Sequence, residues 1–84
     1  MNYPKDLLEV TKEYFGENID VLINSEPDDL YSLHMDFGMF LRNHYKMWAM
    51  KDEELPEDEY GFPCHPDDAS FEYIKRAQKL LKTD

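Results

Sequence analysis

The strongest constraint on this chain is a line of large side chains between Leu30 and Trp48. Leu30, Leu33, Phe37, Leu41, His44 and Trp48 recur at spacings of three and four residues. At 100° per residue they share one face of a helix. Burying large side chains of this kind contributes roughly 1.5–3 kcal/mol each. The spacing predicts one long helix from Asp28 to about Trp48, with His34 and Phe40 at the edges of its stripe and the core gathered along it.

Shorter helical signals flank this spine. Pro4 suits a first turn, and Leu7, Leu8, Thr11, Tyr14 and Phe15 keep helical spacing up to Gly16, a natural stop. A first helix is expected over about residues 5–15. Asn18 begins a short second one, with Ile19, Leu22 and Ile23 on one side. Ser25 is then read as the N-cap of the long helix, with Pro27 in its first turn and Asp28 closing an acidic capping box. A last helix starts between Pro66 and Ala69, capped by Asp67 or Asp68. Its stripe is Phe71, Ile74, Gln78 and Leu81, with Ala77 beside it. No strand signal accompanies these elements. The fold class is therefore all-α: a small bundle of three to four helices around one long central helix, in a single domain spanning residues 1–84.

Between the two long helical signals the pattern breaks. Residues 51–68 hold eight acidic residues and one basic residue, with Pro56, Gly61, Pro63 and Pro66 interrupting them. An irregular acidic connection is expected, long for so small a domain, and such loops are usually functional or mobile. The whole chain carries nineteen acidic against nine basic residues, net −10. That charge repels nucleic-acid phosphates and anionic membrane surfaces and attracts basic proteins. The apolar share of 42% is too high for a disordered chain. No run is long enough to span a membrane, and the N-terminus lacks a signal-peptide pattern. With Cys64 alone there is no internal disulfide, which fits a cytoplasmic location.

The residues suited to chemistry do not form a known catalytic pattern. No phosphate-binding glycine loop, G-x-S-x-G or H-E-x-x-H is present. His34 and His44 lie about 15 Å apart along one helix, too far to share a metal. Cys64 and His65 lack the close ligand pairing of zinc sites, so neither metal nor cofactor is expected. Gly38 sits mid-helix, where it costs about 1 kcal/mol relative to alanine; close approach of another helix is the plain reason. Arg42 points about 120° away from the stripe, on a side shared with Met35, Met39 and Lys46, while Asn43 lies on the other flank. Among so many carboxylates Arg42 is expected to pair with Asp67 or Asp68, pinning the connection to the spine.

Two segments carry a resemblance. Leu33-His34-Met35-Asp36-Phe37-Gly38, Leu41-Arg42-Asn43 and Met47-Trp48, followed by His65-Pro66-Asp67-Asp68-Ala69-Ser70, resemble a bacterial family of small domains of unknown function. Its pattern is L-H-x-x-x-G-x-x-[IL]-R-N-x-x-x-[LM]-W, then H-P-D-D-x-S. The likeness covers about residues 29–82. Family members often place glycine-leucine before the tryptophan, where this chain has Lys46-Met47, and the acidic connection here is unusual. The resemblance implies a helical fold and an Arg42 link to Asp67 or Asp68; it implies no activity.

These features point to a non-enzymatic interaction module, bacterial or phage-borne, that binds a basic protein surface in the manner of an immunity protein or an inhibitor of host defence. The expected contact residues are Glu53, Glu54, Glu57, Asp58, Glu59, Tyr60 and Phe62, acids for attraction and aromatics for anchoring. One alternative is a small-ligand or metal site centred on Arg42, His65 and Asp67. Another is a homodimer formed through Trp48, Met35 and Met39.

Overall fold

The structure, a computed structural model, describes residues 3–57 and 60–83. The described residues form an all-α domain with four helices: α1 Leu7–Phe15, α2 Ile19–Ile23, α3 Pro27–His44 and α4 Pro66–Thr83. Single 3₁₀ turns occupy Gly16–Asn18, Met47–Ala49 and Asp52–Glu54. Among the described residues the only extended pairing is an isolated bridge between Glu57 and Pro63.

Two helices of 18 residues, α3 and α4, form the main packed pair. The other two helices also pack on α4, so each of the three other helices meets it. Against α3, α1 contributes aromatic rings: Tyr14 and Phe15 lie 4.8 and 4.9 Å from Phe37, and Tyr14 lies 4.8 Å from Phe40. Gly16 ends α1 at φ +55°, a conformation glycine adopts without a steric penalty. At the end of α2, the Gln78 side-chain amide donates to the carbonyls of Leu22 (3.0 Å) and Ser25 (2.7 Å). Carbonyls at a helix end lack the regular i+4 donor, and α4 adds a side-chain donor there, to Leu22 beside the 3.3 Å bond from Ser25 N–H.

Three boundaries differ from those read in the sequence, each for a local reason. The cap of α3 lies one residue later than Ser25: Glu26 is the N-cap, and its N–H donates to the Asp29 carboxylate at 3.3 Å. Ser25 instead closes α2, donating to the Val21 carbonyl. At its other end α3 stops at His44, short of Trp48, because Lys46 takes a left-handed conformation at φ +53°. That turn shifts the register, so Met47 is fully buried while Trp48 is 59% exposed. His44 is exposed too, its ring stacked on Phe40 at 5.4 Å.

The third difference is the start of α4. His65, not Asp67 or Asp68, is its cap. The His65 carbonyl accepts the first helical bond, from Ala69 N–H at 2.7 Å, and its ring Nδ1 accepts from Asp67 N–H at 3.2 Å. Pro66 then occupies the first helical position, where its missing N–H loses nothing. The buried face of α4 is Ala69, Ser70, Tyr73, Ile74 and Ala77, rotated from the expected stripe so that Phe71 and Gln78 fall at its edges. Tyr73 is among the largest fully buried side chains. Its hydroxyl is pushed up to about 12 by burial and then by neighbouring Tyr3. Tyr45 is also raised, first by burial and then by the hydrogen bond it donates to Asp6 at 2.9 Å.

Candidate functional site

A polar pin joins α3 to the start of α4. His34, Gly38 and Arg42 follow one another at four-residue spacing on α3, facing Asp67 and Ser70 on α4. Arg42 Nη1 donates to Ser70 Oγ at 2.8 Å, and Ser70 Oγ donates to the Asp67 carbonyl at 2.8 Å. His34 Nε2 lies 2.8 Å from that same carbonyl. A carbonyl only accepts, so His34 carries its proton on Nε2 and donates. Arg42 Nε is 3.7 Å from Asp67 Oδ1, with the Arg42 side chain 12% exposed and that of Asp67 54% exposed. The Ser70 bond is the stronger contact: it is short, charge-assisted and partly buried, whereas the Asp67 ion pair is more exposed to screening by water.

Gly38 is explained by this pin rather than by a neighbouring helix. A Cβ added at Gly38 would come within 2.6 Å of His34 Cδ2 and 3.4 Å of Arg42 Nη1. The absent side chain is the space in which the imidazole and the guanidinium converge. Arg42 thus pairs with Asp67 as expected, while Asp68 and Asn43 are exposed and stand outside the network. The carbonyl of Asn43 accepts from Lys46 N–H at 3.4 Å. His34 and Ser70 were not anticipated as members of this link. The signal available for them was the four-residue ladder His34-Gly38-Arg42.

The connection after α3 is organised by its neck. Leu55 and Cys64 are 4% and 8% exposed within the core, Pro56 is buried, and Cys64 N–H donates to the Pro56 carbonyl at 2.9 Å. Beyond this neck the chain makes an excursion closed by the Glu57–Pro63 bridge. It does not fold its aromatics onto the core: Tyr60 is 76% and Phe62 is 67% exposed. Glu53, Glu54 and Glu57 are exposed as well. Asp58 and Glu59 lie outside the described residues. Beside the neck Trp48 meets the His65 ring edge-on at 6.0 Å.

Arg42, His65 and Asp67 do meet, since His65 Nδ1 also lies 3.7 Å from Asp67 Oδ2. Among the described residues, no three His, Cys, Asp or Glu side chains gather as a metal ion would require. No described helix is long and apolar enough to cross a membrane. No family model matches the chain, and no curated protein or solved structure is similar to it.

Proposed function

We propose that this protein is a non-enzymatic interaction module whose acidic excursion docks on a basic protein surface. The carrying observation is the exposure of Tyr60 and Phe62 on a segment whose neck is buried and hydrogen-bonded. Aromatic rings as exposed as these gain from desolvation when a surface covers them, and aromatics dominate interface energetics. The carboxylates of Glu53, Glu54 and Glu57 select a basic partner and speed encounter with it. On this reading α3 and α4 are the scaffold, and the pin fixes where the excursion leaves it. A bacterial or phage protein of this design acts in the cytoplasm by covering a basic face of its target, as immunity proteins and anti-defence inhibitors do.

The ligand-site alternative at Arg42, His65 and Asp67 has less support. The Arg42 guanidinium is committed to Ser70 and Asp67, and the His65 Nδ1 to the α4 amide. The deciding experiment is capture from native lysate by the wild-type chain and by E53K/E54K/E57K and Y60A/F62A. The proposal expects a basic protein retained by the wild type and released by both variants. Retention of the same protein by both variants refutes it.

A further inference from the structure

The outer face of α3 carries an apolar line that the fold does not use. Tyr31, Met35 and Met39 follow one another at four-residue spacing and are 66%, 71% and 53% exposed. They run about 12 Å along the helix. The Tyr31 ring packs beside Phe71 of α4 at 4.8 Å, which widens the line on that side. Methionine in water is an unusual choice for a solvated face. Its unbranched, polarisable side chain adapts to the side chains of a partner.

Carboxylates rim this line on both sides. Asp36 is exposed on one flank, and exposed Asp28 lies just before Tyr31. The opposite flank is the start of α4, with Asp67 and Asp68 exposed. Arg42 on that flank is tied to Asp67 and Lys75 to Glu72, which leaves Asp68 there and Asp36 on the other flank as the margin charges. The result is an apolar stripe with negative margins.

We infer that the outer face of α3 is a docking surface for a cationic amphipathic helix of the partner protein. Such a helix lays its apolar face along Tyr31, Met35 and Met39 and its Lys or Arg residues over the two acidic margins, a helix-on-groove mode of recognition. This inference rests on the reading that the partner is basic, and it adds a second contact face and the partner's secondary structure. A second copy of this chain is the weaker fit, because it brings the same acidic margins and a net charge of −10 against an equal charge.

The test uses a synthetic Leu/Lys peptide patterned at helical period and its scrambled isomer of equal charge, titrated calorimetrically at near-physiological salt. The patterned peptide should bind the wild-type chain at least about ten-fold more tightly than the scrambled one. The variant M35S/M39S, which removes only exposed side chains, should lose that preference with its circular dichroism unchanged, while Y60A/F62A keeps it. Equal affinity for the two peptides overturns the inference, as does a preference that survives in M35S/M39S. Sedimentation showing a dimer that M35S/M39S converts to monomer assigns the face to a second copy and also overturns it. Because lysate capture reads Tyr60 and Phe62 while the peptide reads Met35 and Met39, the failure of the inference is distinguishable from the failure of the reading on which it rests.

Discussion

Replacing Gly38 with alanine stabilises an ordinary helix by about 1 kcal/mol; in this chain the sign should reverse. The new Cβ would lie 2.6 Å from His34 Cδ2, a distance that side chains do not tolerate. The imidazole must leave, and with it goes the bond from Nε2 to the Asp67 carbonyl, about 1 kcal/mol for a typical hydrogen bond. Displacing the ring also disturbs Arg42, whose Nη1 is 3.3 Å from His34 Nε2, and overpacking of this kind costs about 1–3 kcal/mol. The net expectation is a loss of about 1–2 kcal/mol for G38A in the wild-type background. In the H34A background the obstruction is gone, and the Arg42 contact at 3.4 Å is one a flexible guanidinium relaxes. There G38A should stabilise by about 1 kcal/mol, so the two sites couple by about 2–3 kcal/mol. Urea unfolding followed by circular dichroism measures all four proteins, with the midpoint reporting stability as long as the slope is constant. Additive effects, with G38A stabilising equally in both backgrounds, would refute the idea that the glycine exists to seat His34.

Four further outcomes follow from the same geometry. R42K should destabilise by about 1–2 kcal/mol, since an ammonium cannot reproduce the planar contact to both Ser70 and Asp67; D67N should cost less than R42K in the same urea assay because Asp67 is half exposed. K46G should raise the thermal midpoint by several degrees, because it relieves a left-handed residue at roughly 1 kcal/mol, and an unchanged or lower midpoint contradicts this. H65A should lose about 1 kcal/mol of cap energy and H65N should recover most of it in thermal unfolding, as asparagine is a strong N-cap. At alkaline pH the tyrosines set the limit. Burial raises the folded pKa of both Tyr45 and Tyr73 above the unfolded value of 10.0, so their contribution to stability is complete below about pH 10 and is lost as pH rises above it, for Tyr73 on passing about 12. Absorbance of tyrosinate should therefore show a class that titrates late and together with loss of helical circular dichroism.

The legible parts of this fold are those where one residue type has one physical meaning. The period of Leu30, Phe37 and Leu41 places α3 correctly because only burial explains large side chains at that spacing. The pairing of Arg42 with Asp67 was readable because a rare guanidinium in an acidic chain finds a carboxylate. The end of α3 was not readable, since lysine gives no sign of a left-handed turn, and the helical count carried on through Lys46 to Trp48. The cap of α4 was missed for a different reason. Aspartate is the commoner cap, yet Pro66 marks the first helical position and so names His65 as the residue before it. His34 and Ser70 were obscured because a helix-edge histidine and a helical serine have many uses. Only the glycine between His34 and Arg42 restricted them to one.

The pin and the excursion are mechanically connected, and this links fold to proposed function. Arg42 and His34 hold Asp67 and Ser70, which are the second and fifth residues of α4. His65 and Cys64, directly before that helix, form the returning side of the neck from which Tyr60 and Phe62 project. Loosening the pin therefore frees one root of the excursion without altering Tyr60, Phe62 or the excursion's carboxylates. It also moves Asp67 and Asp68, one margin of the α3 face. A pin variant such as R42K should then weaken both kinds of binding together, unlike Y60A/F62A or M35S/M39S, each of which acts on one. In a chain of 84 residues, with little core to spare, a single polar cluster that positions both faces is a compact way to keep them in register.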